Sequence, residues 1–196
     1  LGRVANVANS VKGRFAVLFA QDKGRKVTLI TDRFGTWPLC YAHEGGRLSV
    51  SDRADRVPGE ARRISPQAVF NYLYFHMIPA PTTIFEGVRR LEAGHLLEWS
   101  GSECTVRRWW NPVFDESATP DLETAKRQFC QIIEDAVSEA AQGAEVGAYL
   151  SGGTDSSTVS GMLTKVLGKP ARTYSIGFDA AGYDEMSYAR IAAKHF

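Results

Sequence analysis

The sequence has little of what usually places a chain at a glance. Cysteine is scarce, with only Cys40, Cys104 and Cys130 in 196 residues. An odd, widely spaced set excludes a complete framework of internal disulfides and shows no metal-ligand spacing, so a reducing, cytoplasmic setting is expected. Charge of one sign is missing too: 23 Lys and Arg stand against 22 Asp and Glu, a net charge of +1. That balance gives no ground for a nucleic-acid or membrane-surface partner. The pairs Arg62-Arg63, Arg89-Arg90 and Arg107-Arg108 read as solvated edges. No apolar run approaches the roughly 20 residues that span a bilayer, and no signal-peptide pattern heads the chain. The first residue is Leu1 rather than Met, and Phe196 falls inside an unfinished helical pattern, so the chain is expected to be a fragment. What remains, 44% hydrophobic and 23% charged residues, suits one large globular domain or two small ones.

Against these absences stands one dense stretch, Gly147-Ala148-Tyr149-Leu150-Ser151-Gly152-Gly153-Thr154-Asp155-Ser156-Ser157-Thr158-Val159. It reads as a short buried strand, a tight turn on two glycines, and a helix opening with small hydroxyl residues. The first N–H groups of a helix have no partner within it, and the helix dipole favours an anion there. Gly152 and Gly153 allow the backbone to come close to a ligand, and Ser151 and Ser156 add hydroxyl donors. Asp155 would repel phosphate unless a cation stood between them, so it is read as facing magnesium. The turn lacks the lysine of the common nucleotide loop. It resembles instead the pyrophosphate loop of enzymes that cleave ATP between the α and β phosphates, with Thr154 more polar than the residue expected there. The competing reading is a glycine-serine turn before an ordinary helix.

Residues 13–51 alternate like antiparallel strands, over 15–19, 27–31, 37–41 and 47–51, and predict a meander packed against another layer. Asp32 and Arg33 suit an active-site pair or a turn held by the Asp side chain equally well. Ser65-Pro66 opens a helix with Val69, Phe70, Leu73 and Met77 on its buried face, ended by Pro79 and Pro81. His76 and His95 are expected in structural roles. A hairpin follows over 94–106, and Trp109 and Trp110 read as core anchors. After a Pro-punctuated linker, Thr119-Pro120 is expected to cap a helix running to Gln142. Its buried stripe would be Leu122, Ala125, Phe129, Ile132, Ile133, Ala136, Val137 and Ala140. The helix after the glycine turn should bury Val159, Met162, Leu163, Val166 and Leu167. A second strand, 171–178, should pair parallel with the first, so Ile176 and Gly177 would share a pocket with Leu150 and the turn, beyond the carboxyl ends of the strands. Tyr183-Asp184-Glu185 starts the last helix, its acids serving the helix end or reaching substrate.

Several stretches together resemble one family. Tyr149 to Ser157, Tyr174-Ser175-Ile176-Gly177-Phe178 and Tyr183-Asp184-Glu185 look like the synthetase half of glutamine-dependent asparagine synthetases. Gly13-Arg14-Phe15-Ala16, Asp32 to Leu39, and Pro79 to Phe85 through Gly94-His95 are similar to its glutaminase half, in matching order. The resemblance implies the later part of an N-terminal-nucleophile glutaminase-type sheet domain over 1–111 and a linker over 112–120. From 121 to 196 it implies the start of a doubly wound parallel-sheet nucleotide-binding domain, an α+β half joined to an α/β half. It further implies ATP and Mg2+ as cofactors and a carboxylate, aspartate in the family, adenylated with loss of pyrophosphate and attacked by ammonia from glutamine. The nucleotide would be held by Leu150, Ser151, Gly152, Gly153, Asp155, Ser156, Ile176 and Gly177, with Asp155 on the metal. Partners would be these small molecules, without nucleic acid or membrane, leaving room for a homodimer.

The sequence departs from the family at Leu1, where the glutaminase nucleophile would be a cysteine. The arginine loop, the Asn-Gly-Glu segment and the later acidic glycine loop are missing as well. The chain alone is therefore expected neither to hydrolyse glutamine nor to complete the synthesis. A β-lactam-synthetase-like amidoligase and a non-catalytic module with the same fold are the alternative readings.

Overall fold

The computed structural model describes residues 8, 10–59, 62–117, 120–143, 145–179 and 184–196. The chain divides into two compact units, Leu1–Phe114 and Asp115–Phe196.

The first unit is built of antiparallel strands. β1 (Ala16–Gln21) turns through Asp22–Gly24 into β2 (Lys26–Thr31), and β3 (Cys40–Glu44) turns into β4 (Arg47–Ser51). Helix α1 (Pro66–Phe75) precedes β5 (Arg89–Arg90), β6 (His95–Trp99) and β7 (Cys104–Arg108). The expected meander is corrected here. The chain leaves its first sheet after β2, and the strands order as β1-β2-β6-β7 in one sheet and β4-β3-β5 in the other. A strand buried on both faces needs both edges paired. β2 pairs β1 on one edge and β6 on the other, with Ile30 opposite Leu96. The third strand also starts later than its alternation suggests, at Cys40, because the turn at Asp32 and then Pro38 lie before it.

Leu29 and Leu97 of the first sheet pack against Tyr41 of the second and against Leu39 and Leu91, which flank its strands β3 and β5. Successive side chains of a strand point to opposite faces. Ile30 accordingly turns the other way and packs with Leu96, Phe15 and Trp109. Cys40 and Ala42 lie with Val57 and Val88 on the far face of the second sheet.

Ser65 accepts the Ala68 N–H at 3.3 Å and Pro66 fills the first helical position, as the sequence predicts for α1. Two expectations for α1 fail. Ala68 is its one buried residue, whereas Val69, Phe70, Leu73 and Met77 stay exposed. His76, in the left-handed region at φ 56°, stops the helix before either proline is reached.

The second unit holds α2 (Leu122–Ala140), β8 (Gly147–Tyr149), α3 (Thr154–Leu167), β9 (Arg172–Tyr174) and α4 (Met186–His195). The cap of α2 is Asp121, whose side chain accepts the Thr124 N–H at 3.0 Å. Thr119, expected in that role, lies outside the described residues, as does Tyr183. α2 ends at Ala140, short of Gln142, and its expected stripe is half covered at most, with Leu122, Phe129 and Ile132 exposed. On α3, Leu163 is buried as expected, but Val159 is 46% exposed. β8 and β9 pair parallel, with Ala148 opposite Thr173, as the short crossover requires. The architecture is thus mixed α/β, antiparallel in the first unit and parallel between β8 and β9. No helix among the described residues is long and apolar enough to cross a membrane.

Candidate functional site

The glycine turn sits between the carboxyl end of β8 and the start of α3. Leu150 closes the strand: its N–H donates to the Tyr174 carbonyl at 2.9 Å, and its carbonyl accepts the Ser175 hydroxyl at 2.6 Å. Leu150 is only 2% exposed and packs inward. Ile176 and Gly177 follow β9 and are exposed. The Ser175–Leu150 bond brings that segment beside the turn. Sequence reasoning gave Ser175 no role, although a hydroxyl directly after a strand is the signal that was available.

Within the turn, the Ser151 and Ser156 hydroxyls lie 3.0 Å apart. The Ser151 hydroxyl accepts the Gly153 N–H at 3.3 Å, and the Ser156 hydroxyl accepts the Ser151 N–H at 3.2 Å. The first turn-to-turn bond of α3 is Ser157 N–H to the Gly153 carbonyl, at 3.0 Å. The N–H groups of Thr154, Asp155 and Ser156 come before it, where a helix has no acceptor of its own to give them. Asp155 is exposed on this first turn, with no ion pair among the described residues. No group of three or more His, Cys, Asp or Glu among the described residues could hold a metal. A single carboxylate suits magnesium only in company with phosphate oxygens, which is how that ion is commonly held.

Gly152 is required for a reason other than ligand approach alone. It has φ +87°, and a Cβ there would lie 2.4 Å from the Tyr188 carbonyl carbon and 2.5 Å from the Ala189 nitrogen. The backbone of α4 thus occupies the space above it. Among the described residues, a Cβ on Gly153 would meet the Ser151 hydroxyl alone, at 3.4 Å, so that side of the turn is open with respect to them. Two more glycines receive the same helix: Gly177 meets Met186, and Gly161 meets the Phe196 ring just past its end. Asp184 accepts the Met186 N–H at 3.3 Å and the Phe178 N–H at 3.4 Å, which assigns it to the start of α4.

In the first unit, Asp32 organises a turn. Its carboxylate, 2% exposed, accepts N–H bonds from Phe15, Phe34 and Thr36 and the Thr36 hydroxyl. Burial pushes this carboxyl up, but the N–H donors of Phe34, Thr36 and Phe15, with the Thr36 hydroxyl, outweigh it and hold the group below the ordinary carboxylate range. Arg33 lies over the Trp109 ring, 5.5 Å from its centre, and donates to the Val11 carbonyl at 3.2 Å. His95 is buried, with Nδ1 2.8 Å from the Ala93 carbonyl. Trp109 donates its indole N–H to the Thr31 carbonyl at 3.1 Å. His95 lies within β6 and Trp109 is tied to β2, whereas the contacts of Asp32 and Arg33 run to the turn after β2, to Phe15 and Val11, and to the Trp109 ring. Burial also pushes the Cys40 and Cys104 thiols up, the reverse of what a nucleophile needs.

Comparison with known proteins places these two units. The glutamine amidotransferase domain family matches residues 2–110, over half the chain. The asparagine synthase family matches residues 128–196. With the two matches in this order, the chain belongs to the glutamine-dependent asparagine synthetase family.

Among curated relatives, it is 28% identical to a Methanocaldococcus jannaschii protein provisionally named glutamine-hydrolyzing asparagine synthetase 2, over 94% of this chain and 37% of that one. It is 25% identical to the glutamine-hydrolyzing asparagine synthetase 1 of Bacillus subtilis, over 95% of this chain and 30% of that one. The chain therefore spans about a third of the length of these relatives. A solved glutamine phosphoribosylpyrophosphate amidotransferase from B. subtilis is similar at 14% identity and a TM-score of 0.36, covering 93% of this chain and 37% of that one.

Proposed function

We propose that the turn at 151–156 binds ATP with magnesium, and that the chain serves an amide-forming ligase of the asparagine synthetase type. The observation that carries this reading is the open side of the turn. There the N–H groups of Thr154 to Ser156, to which a helix start gives no acceptor of its own, and the paired hydroxyls of Ser151 and Ser156 stand at the start of a 14-residue helix, on whose first turn Asp155 has no ion pair among the described residues. Donors fixed in place before a ligand arrives stabilise charge that develops on a departing pyrophosphate. Ser151, Gly152, Gly153 and Ser156 would hold the phosphates, and Leu150, Ile176 and Gly177 would border the nucleoside through backbone and, at Ile176, side-chain contact. Magnesium held by Asp155 would supply charge neutralisation to the leaving group.

The proposed reaction joins a carboxylate, aspartate by family, to AMP with release of pyrophosphate, and then admits ammonia taken from glutamine. The further strands of a doubly wound sheet, a homodimer and a cytoplasmic setting belong to the same proposal. Titration of the chain with ATP and magnesium tests the site. Exchange of labelled pyrophosphate into ATP by the complete gene product tests the reaction. Exchange that depends on aspartate is expected. Exchange with another acid alone would move the protein to a different amide, and a chain that bound no nucleotide would refute the reading.

A further inference from the structure

Helix α4 does more than cover the turn. Tyr188 Cβ would lie 2.5 Å from a Cβ on Gly152, so any rotamer of this tyrosine starts in contact with the turn. The next residue, Ala189, is 3% exposed and anchors the helix inward, whereas Tyr188 is 64% exposed. No hydrogen bond or ring contact is recorded for its phenol among the described residues. A large aromatic pinned at Cβ to the turn, and otherwise largely in solvent, has the form of an unfilled contact.

We infer that Tyr188 is a nucleotide-contacting residue, its ring or phenolic hydroxyl closing the α4 side of the turn against a bound nucleoside triphosphate. This rests on the ATP site proposed above. The packing supplies its reason. Gly152 brings α4 within van der Waals reach of the turn, and Gly177 brings Met186 to the segment after β9, so α4 is held against both segments that border the nucleotide. Tyr188 is the aromatic residue of the first turn of α4.

Calorimetric titration of ATP and magnesium into the 196-residue chain would test this in wild type, Tyr188→Ala, Tyr188→Phe and the control Ile191→Ala, an exposed change on the same helix. Tyr188→Ala is expected to weaken binding about fivefold, with the unliganded melting temperature unchanged and Ile191→Ala equal to wild type. A Tyr188→Phe loss matching the alanine variant would assign the contact to the hydroxyl; binding kept in Tyr188→Phe would assign it to the ring. Tyr188→Ala binding within twofold of wild type overturns this inference and leaves the ATP site standing. An equal loss in Ile191→Ala overturns it as well. Wild type that binds no ATP overturns both.

Discussion

Two aspartates show how one residue type takes opposite roles in this chain. Asp32 is buried and saturated with donors from Phe15, Phe34 and Thr36. Asp155 is exposed and has no ion pair among the described residues. Replacing Asp32 by Asn leaves N–H groups facing an amide that cannot accept them all. Urea unfolding at pH 7, followed by tryptophan fluorescence, should show a loss of about 2 kcal/mol. Because the folded Asp32 carboxyl lies below its ordinary range, its contribution is intact above an unfolded pKa of about 3.9 and disappears as pH falls through the folded value. The gap between wild type and Asp32→Asn should therefore narrow only under acid conditions, in the same unfolding series run from pH 7 downward. Asp155→Ala should behave in the reverse way. Stability should hold within about 0.5 kcal/mol, while magnesium-dependent ATP binding weakens at least about tenfold, as the loss of a charge-assisted contact implies.

At the scale of elements, the governing contact is α4 against the β8–α3 turn. Gly152→Ala places a methyl 2.4 Å from α4 backbone at φ +87°. Left-handed strain and overpacking add to about 2–4 kcal/mol. Thermal unfolding should show that loss, and limited proteolysis should cut faster ahead of Met186. On α3, Leu163→Ala should cost about 2–4 kcal/mol, whereas Val159→Ala should cost well under half of that, because Val159 is already largely in solvent. Equal losses would contradict the burial assigned to the two residues. The caps were legible from residue type alone at Ser65, where a hydroxyl precedes a proline. Asp121 is less legible, because Thr119-Pro120 offers the same pattern two residues earlier.

For the whole molecule, two compact units carry two family matches in sequence. The glycine turn, its strand and helix, and the parallel pairing of β8 with β9 could be read from the chain because they are local: glycine placement, helix capping and a short crossover each act over a few residues. The strand periods of the first unit were legible for the same reason. Sheet membership was not, since the partner of Ile30 lies at Leu96 and alternation carries no label for its distant neighbour. Nor could apolar stripes say what covers them, and Phe70, Phe129 and Val159 remain in solvent despite helical spacing. The sequence by itself determined that a strand would turn on Gly152 and Gly153 into a helix start, because backbone freedom and unpaired N–H groups follow from residue type. Only the tertiary structure decided that α4 rests on Gly152 and sets Tyr188 against the turn, because that contact joins segments 36 residues apart through packing.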